Sequence, residues 1–285
     1  MKLGELYKKL KLDFSESGQD APPDMLARAV LEHTCAINAA TLIAQPDLEI
    51  SFDQIHAANN MAARLCAGVP LSRILGWREF YGLRFDLGAE TLDPRPDTEI
   101  LVETALKWLA KTPLATRMLD LGTGTGCIPV SILANCPRMT GVAVDIAAGA
   151  AEMAVANATR NGVVDRLTVY VGDWLAPVPV GDRFDLITSN PPYIPAAEIA
   201  NLDDSVRLYD PIRALDGGAD GYDPYRHLFI AIKRVLKPGG LALFEIGAGQ
   251  LADLRRIAVN SGLDVETVVM DYAGTPRVMG VCVRP

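Results

Sequence analysis

The sequence lacks most of the features that mark secreted, metal-binding or membrane proteins. Its three histidines, His33, His56 and His227, lie far apart, and because no zinc-type spacing exists we predict no metal site. The five cysteines are odd in number and form no close pair, which favours reduced thiols in a cytoplasmic protein. No apolar run reaches the length of a membrane span. The first nine residues have no apolar stretch either, so we expect no signal peptide.

Basic residues are also too few for a protein that binds extended nucleic acid. The chain has 27 Lys and Arg against 35 Asp and Glu, a net charge of −8, whereas duplex binding needs a basic surface. We therefore expect no stable duplex nucleic acid and no membrane among its partners. What is present is 49% hydrophobic and 22% charged residues over 285 positions. That composition is typical of a soluble globular protein with one large and one small domain.

Residues 1–72 contain helical patterns only. Ser51 and Gln54 form a candidate capping box, and the apolar residues after it repeat at helical spacing: Phe52, Ile55, Ala58, Ala62, Leu65 and Cys66. Pro22-Pro23-Asp24 predicts the start of another helix, which runs to about Thr34. The pattern favours a small helical bundle, and a partner-docking module is the alternative.

The period changes to two within residues 73–92. Leu83, Phe85 and Leu87 alternate with Arg84 and Asp86, which predicts a β-hairpin that links two domains. Asp93-Pro94-Arg95-Pro96-Asp97 follows, and its two prolines are expected to delay the next helix until Asp97 or Thr98 can cap it.

Residues 93–285 alternate between strands and helices, which predicts a doubly wound, mainly parallel sheet. Seven strands are expected, the last two ending near Met270 and Val283. The first five are Arg117–Leu121, Thr140–Asp145, Leu167–Gly172, Phe184–Ser189 and Leu241–Ile246. The helices between them are Cys127–Asn135, Ala147–Asn161, Pro224–Leu236 and Leu251–Ser261. We expect Lys237-Pro238-Gly239-Gly240 to end the third of these helices.

A glycine-rich loop follows the first strand of this sheet. It consists of Gly122, Thr123, Gly124, Thr125 and Gly126. Alternate glycines let the backbone turn tightly and let a ligand approach it closely, and ligands of open α/β sheets bind at the carboxyl ends of the strands. The spacing is not the GxGxxG of dinucleotide binders, and a tight connection without a ligand is the alternative. The loop has no basic residue, which counts against ATP.

The next two strands end in acidic and aromatic residues. Asp145 closes the second strand, where a carboxylate can accept both hydroxyls of a ribose. Asp173 and Trp174 close the third strand, and they could hold an adenine between a carboxylate and an indole ring. Singly, Asp145 could be a helix cap and Trp174 a core residue. Together with the glycines, these residues favour a nucleoside-bearing cofactor that has no pyrophosphate.

Asn190-Pro191-Pro192-Tyr193 ends the fourth strand. Proline fixes its own φ and has no N–H, and Asn190 is pushed toward extended backbone by the proline after it. We therefore expect the carbonyls of this turn to have no local donor. Asn190 adds a planar carboxamide and Tyr193 a flat aromatic face. The turn is suited to binding a planar nitrogen-bearing group, such as an amide or an amino-heterocycle.

In these motifs the sequence resembles class I S-adenosylmethionine-dependent methyltransferases, and more narrowly the release-factor N5-glutamine methyltransferase family (PrmC/HemK). The resemblance covers nearly the whole chain. Besides the motifs above, it extends to Arg73–Gly76, Glu79–Gly82, Pro94–Glu99, Ala214–Gly218, Asp220-Gly221 and Phe244–Gly247. In one departure, Asp210-Pro211 stands where the family usually has Glu-Pro, a change that we expect to be tolerated.

The resemblance implies a fold, a cofactor and a substrate. The fold would be a Rossmann-like methyltransferase domain, residues 93–285, with a small all-α domain at residues 1–72 that docks a release factor. S-adenosylmethionine would lie on Gly122–Gly126, Asp145, Trp174 and Asn190. The substrate would be the glutamine of the Gly-Gly-Gln motif in class I peptide chain release factors, bound by Asn190, Pro191, Pro192 and Tyr193.

For catalysis we hypothesise positioning rather than acid–base chemistry. An amide nitrogen is a poor nucleophile because its lone pair is delocalised into the C–N bond. We expect the Asn190 side-chain oxygen and the Pro191 carbonyl to accept the two amide N–H groups while Tyr193 packs on the amide plane. The nitrogen lone pair would then face the methyl group. No residue is required as a base, and the proton is expected to leave to water.

Two other functions fit parts of the pattern. The Asn-Pro-Pro-Tyr turn could hold a flipped adenine of DNA or a guanine of ribosomal RNA, although the net charge weighs against this. A non-catalytic module that binds a cofactor and a protein is the second, and the intact turn argues against it. The acidic residues of the following segment, Glu198, Asp203, Asp204 and Asp210, form either a solvated loop or a surface for a basic release factor.

Overall fold

The computed structural model describes residues 1–18 and 21–283, and it divides into two compact units, Met1–Gly76 and Trp77–Pro285. The first unit is helical. Its helices are α1 (Leu3–Glu16), α2 (Pro23–Cys35), α3 (Ala39–Ala44), α4 (Phe52–Cys66) and α5 (Leu71–Leu75). The apolar residues of α1 recur every three or four positions and are fully buried against α2 and α4: Leu3, Leu6, Leu10 and Phe14.

The capping box predicted for α4 is confirmed. The Gln54 N–H donates to Ser51 Oγ at 3.3 Å, and the Ser51 N–H donates to Gln54 Oε1 at 3.1 Å. Two orphan donors at the start of the helix are thereby satisfied by two side chains.

The second unit begins with a two-stranded hairpin of β1 (Trp77–Phe80) and β2 (Leu83–Asp86). Its turn residues, Tyr81 and Gly82, have φ of 51° and 69°, which is the twist that a two-residue hairpin requires. The predicted start of this hairpin at residue 73 was wrong, because residues 71–75 are helical and Gly76, at φ 74°, ends that helix. The role of the hairpin as a linker stays a prediction.

A seven-stranded sheet forms the centre of the second unit, as predicted, in the order β5-β4-β3-β6-β7-β9-β8. Its strands are β3 (Arg117–Leu121), β4 (Thr140–Asp145), β5 (Leu167–Val171), β6 (Phe184–Ser189), β7 (Leu236–Glu245), β8 (Leu263–Met270) and β9 (Pro276–Val283). The first five are parallel, and β9 pairs antiparallel with both β7 and β8. The helices are α6 (Glu99–Lys111), α7 (Cys127–Asn135), α8 (Ala148–Arg160), α9 (Asp204–Arg207), α10 (Asp223–Ala231) and α11 (Leu251–Asn260).

Alternate residues of the central strands enter two separate hydrophobic cores. Met118 packs into a core with residues of α6 and α7, whereas its neighbour Leu119 packs into a core with residues of α10 and α11. Because side chains alternate across a strand, this division shows that helices cover both faces of the sheet. The strands are therefore buried on both sides, which explains their nearly continuous apolar sequences.

The predicted boundary between α10 and β7 was wrong. The helix ends at Ala231, a short 3-10 turn follows at Ile232–Arg234, and β7 already begins at Leu236, so the Lys-Pro-Gly-Gly segment lies within the strand. Pairing with β6 explains this, because Phe184 aligns with Leu236 and an irregular register separates that pair from the next, Leu186 with Leu241. Lys237 also contacts the Asp185 carboxylate, at 2.9 Å.

Over residues 1–18 and 21–283, no helix is both long enough and apolar enough to cross a membrane. In the same ranges, no group of three or more His, Cys, Asp or Glu side chains is placed to hold a metal ion.

Candidate active site

The site lies where the order of strands reverses. From β3 the chain adds β4 and β5 on one side and then returns to place β6 on the other side of β3. The loops after β3 and β6 are therefore neighbours, since Leu121 aligns with Ser189 across the pair. A crevice opens at such a switch point in doubly wound sheets.

Two buried polar side chains connect β3 and β6 beneath these loops. The Thr188 hydroxyl donates to Asp120 Oδ1 at 2.6 Å, and both residues are fully buried. Burial raises the pKa of the Asp120 carboxyl to about 6, although its hydrogen bonds act to lower it. The contact holds the first glycine loop residue beside the Asn-Pro-Pro-Tyr turn.

The glycine-rich loop adopts the backbone that its glycines permit. Gly122, Gly124 and Gly126 all have positive φ, between 55° and 77°, a region that disfavours other residues. A Cβ added at Gly122 would lie 3.4 Å from the ring of Trp174, and one at Gly126 would lie 3.1 Å from the Ala154 Cβ. Glycine is therefore needed here both for the positive φ and because Trp174 and Ala154 leave little room for a side chain at Gly122 and Gly126.

The first cavity, of about 320 Å³, opens over this loop. Most of the predicted cofactor residues line it: Gly122, Thr123, Gly124, Thr125, Asp145, Asp173, Trp174 and Asn190, together with Pro192 from the substrate set. Gly126 does not line it, because that residue packs against α8 at the start of α7. The structure thus brings together the ends of four strands, as the sequence pattern predicted.

Asp145 and Trp174 have distinct settings in this cavity. The Asp145 carboxylate accepts the N–H of Gly124 at 2.8 Å and that of Ala147 at 2.9 Å. Burial raises the pKa of this carboxyl, whereas the two backbone donors act to lower it. Trp174 has a φ of 45°, an uncommon conformation for a bulky residue. Such local strain often occurs at ligand sites, where surrounding structure enforces it.

A second cavity, of about 340 Å³, adjoins the first. The two share the wall residues Leu92, Arg95, Asn190 and Ala214. Tyr193 lines the second cavity, together with Asp97 and Glu245, and apolar side chains from the following segment complete it: Ile194, Leu202, Val206 and Leu215. Asn190 therefore stands between the two cavities. Pro191 is buried and lines neither of them.

Asn190 is bonded to residues that the sequence did not assign to the site, since Thr98 was expected only as a possible helix cap. Its Nδ2 donates to Thr98 Oγ1 at 3.2 Å, and the Thr98 hydroxyl donates to Glu245 Oε2 at 2.6 Å. Burial raises the pKa of Glu245 to about 7, against the hydrogen bonds and the attraction of Arg277, which act to lower it. The Tyr193 hydroxyl faces the other oxygen of Glu245 at 3.5 Å. Burial raises the pKa of this phenol to about 12, so it stays neutral.

The carbonyls of the turn have no donor from the turn itself, as expected, but the carbonyls of Tyr193 and of the following residue, Ile194, are bonded to distant residues. The Tyr193 carbonyl accepts from Gln250 Nε2 at 3.0 Å, and the Ile194 carbonyl accepts from the Gly217 N–H at 2.8 Å. Within the described part of the chain, no hydrogen bond is formed to the Pro191 carbonyl. The donors to Tyr193 and Ile194 come from distant parts of the chain, which a local pattern does not show.

Asp210 also departs from expectation, because it is neither solvated nor exposed to a partner. Its side chain is 2% exposed and pairs with Arg95, and it also accepts the Asp93 N–H at 3.1 Å. The other acidic residues of this segment, Glu198, Asp203 and Asp204, are exposed. The segment is thus anchored to the wall between the cavities rather than loosely hydrated.

Comparison with known proteins identifies the family. The methyltransferase small domain matches residues 91–202, and the PrmC N-terminal domain matches residues 5–76. The release factor glutamine methyltransferase of Rhodospirillum rubrum is 43% identical over 251 residues, covering 88% of this chain and 76% of that protein. The release factor glutamine methyltransferase of Agrobacterium fabrum is 40% identical over 262 residues, which cover 91% of this chain and 90% of that protein.

The chain belongs to the release factor glutamine methyltransferase family. It is therefore a methyltransferase, which confirms the resemblance stated from the motifs. Among solved structures, the hMettl16 catalytic domain in complex with the MAT2A 3′UTR hairpin 1 has a TM-score of 0.54 with 16% identity, covering 99% of this chain and 93% of that one. At that identity the likeness supports the Rossmann-like methyltransferase fold alone.

Proposed function

We propose that this enzyme transfers the methyl group of S-adenosylmethionine to the side-chain nitrogen of the glutamine in the Gly-Gly-Gln motif of class I peptide chain release factors. The observation that supports it best is the pair of cavities that meet at Asn190. One cavity has the lining of a nucleoside site, and the other is partly apolar and bounded by Tyr193. A methyl donor in the first cavity and an amide in the second would then meet beside the carboxamide of Asn190.

The first cavity fits S-adenosylmethionine better than a nucleotide with phosphates. Asp145 offers its carboxylate for the ribose hydroxyls, and Trp174 offers an indole face for the adenine. Two cationic side chains line this cavity. Arg95 pairs with Asp210, and the guanidinium of Arg213 lies 3.9 Å from the Glu90 carboxylate. Both already face carboxylates, which disfavours phosphate binding.

S-adenosylmethionine would supply a methyl group on a positively charged sulfur, which makes that carbon electrophilic. The task of the protein is then to orient the amide. Asn190 Oδ1 and the Pro191 carbonyl would accept the two N–H groups of the glutamine, and Tyr193 would pack on its plane. Full rotation of an amide costs about 18–20 kcal/mol, but correct placement of the reactants can itself contribute roughly 7–11 kcal/mol. The site therefore needs to position the nitrogen, with only slight distortion of the amide.

The remaining assignments follow from this function. Residues 1–72 would dock the release factor, and the enzyme would act in the cytoplasm, where translation takes place. After transfer the amide nitrogen carries an extra proton and is strongly acidic, so its proton would leave to water without a dedicated base.

The proposal is tested with labelled cofactor and purified substrates. The wild-type enzyme should methylate an intact release factor, and replacement of the motif glutamine should remove the signal. Asn190→Ala should lower transfer by at least about 100-fold, since an unpaired amide is left in a site built to bind it, while cofactor affinity changes only a few-fold. Preferential incorporation of label into DNA or ribosomal RNA would contradict the proposal, as would wild-type turnover by Asn190→Ala.

A further inference from the structure

One buried carboxylate contacts both of the side chains that are proposed to grip the amide. Glu245 closes β7, is 1% exposed and interacts with the side chains of Thr98, Tyr193 and Asn190. Oε2 accepts from Thr98, which in turn accepts from Asn190, and Oε1 faces the Tyr193 hydroxyl. Among the neighbouring charges, Arg277 acts to lower the pKa of Glu245 and Asp97 acts to raise it.

The direction of these hydrogen bonds fixes the orientation of Asn190. An ionised carboxylate only accepts, and a threonine hydroxyl has a single hydrogen to donate. Thr98 must give that hydrogen to Glu245, with which its contact is the shorter, 2.6 Å against 3.2 Å. Its oxygen can then only accept from Asn190. While Glu245 is ionised, the carboxamide of Asn190 is therefore held with its nitrogen inward and its oxygen outward.

We infer that Thr98 and Glu245 are positioning residues that select a carboxamide over a carboxylate by fixing which atom Asn190 presents to the second cavity. With its oxygen outward, Asn190 attracts an N–H donor and repels an acceptor. A flipped Asn190 would present N–H groups and favour a glutamate side chain instead. This inference rests on the proposed function, since it concerns how the same site tells glutamine from glutamate.

The experiment compares Thr98→Val, which keeps the shape but removes the hydroxyl, with Thr98→Ser, which keeps the hydroxyl. At about pH 8.5, where Glu245 is ionised, Thr98→Val should lower kcat at least about tenfold while the KM for the cofactor stays within about threefold. A release factor whose motif glutamine is replaced by glutamate serves as an inhibitor. The ratio of its inhibition constant to the KM of the normal release factor should be at least about tenfold lower for Thr98→Val than for wild type. Thr98→Ser should bring both kcat and the discrimination against glutamate to within about threefold of wild type.

Glu245→Gln provides a second route to the same result. A glutamine there can donate to Thr98, which frees the Thr98 hydrogen to turn toward Asn190 and permits the flipped state. Thr104→Val, on α6 with its hydroxyl bonded to the Ile100 carbonyl at 2.7 Å, is the matched control and should behave as wild type. Unchanged kcat and unchanged discrimination against glutamate in both Thr98→Val and Glu245→Gln would overturn the inference.

An activity-free measurement separates this inference from the proposed function. In protein labelled with ¹⁵N at asparagine, the Asn190 side-chain amide protons should exchange with solvent more slowly in wild type than in Thr98→Val. If the wild-type enzyme fails to methylate any release factor, the proposed function fails. If instead the exchange rates of the two proteins are equal, the inference that Thr98 orients Asn190 fails, whichever substrate the enzyme uses.

Discussion

The carboxylate of Asp145 lies 2.8 Å from the backbone N–H of Gly124, and this contact joins the end of β4 to the glycine-rich loop of β3. The other oxygen of Asp145 accepts the Ala147 N–H at 2.9 Å. A residue predicted to bind a ribose therefore also holds the loop against which the rest of the cofactor would lie. The two roles are compatible, because each carboxylate oxygen can accept more than one hydrogen bond.

Asp145→Ala should weaken S-adenosylmethionine binding at least about tenfold, since hydrogen bonds to a charged group each contribute about 1.5–3 kcal/mol. Isothermal titration calorimetry measures the change directly. Asp165→Ala, at an exposed acid outside both cavities, is the control and should bind as wild type. An unchanged dissociation constant for Asp145→Ala would count against the ribose assignment.

Trp174 should report cofactor binding through its fluorescence. The chain has three tryptophans, and of these only Trp174 lines the first cavity. Stacking of an adenine on its indole should change the emission of the wild-type protein on titration with S-adenosylhomocysteine. We expect that change to persist in Trp108→Phe and to disappear in Trp174→Phe. The opposite pattern would remove Trp174 from the cofactor site.

Stability should depend on pH through Glu245. Burial raises the pKa of this group from 4.5 to about 7, so the folded state holds the proton more tightly than the unfolded state. The stabilisation is complete below about pH 4.5 and is lost as the pH rises through 7, a change of about 3 kcal/mol. In urea unfolding, the free energy of unfolding of Glu245→Gln should therefore rise relative to that of wild type between about pH 5 and 8. Glu152→Gln, at an exposed acid on α8, is the control and should differ from wild type by the same amount at every pH. Glu245→Gln should do so too if its carboxyl is not buried as described.

Removal of Arg95 should destabilise the second unit by roughly 1–3 kcal/mol, because the Asp210 carboxylate would stay buried without its guanidinium. The lower part of this range allows for the partial exposure of Arg95 itself, 34%. Arg160→Ala, which breaks a more exposed pair with Asp86, should cost no more than about 1 kcal/mol. Thermal unfolding of both variants decides the comparison, and equal losses would show that burial of Asp210 is unimportant. Asp210→Glu should stay close to wild type.

The sequence predicted those parts of the molecule that depend on neighbours in the chain. The strand ends, the glycines and the Asn-Pro-Pro-Tyr turn occur where the local pattern placed them, because alternation and turn residues act over a few positions. The sequence did not predict that Thr98 and Glu245 belong to the site, because their contact joins residues 147 positions apart. An acid that closes the apolar strand Leu241–Phe244 was the available signal. Asp210 was misjudged for the same reason, as its partner Arg95 is 115 positions away.

The two wrong boundaries have a similar origin. Proline and glycine in Lys237–Gly240 predict a break between helix and strand, yet alignment of Leu236 with Phe184 on β6 starts β7 before them. Tertiary pairing overrides local preference there. At residues 73–75 the helical turn ends only at Gly76, whose left-handed backbone was not apparent from alternation further along the chain.

The adjacency of β3 and β6 also determines when this enzyme can become active during folding. Leu121 and Ser189 are direct neighbours in the sheet, yet the chain between them contains α7, β4, α8 and β5. Neither loop can face the other until that whole segment has closed. Turnover should consequently emerge only after synthesis has passed β7, which carries Glu245, and it should be lost when the sheet unfolds.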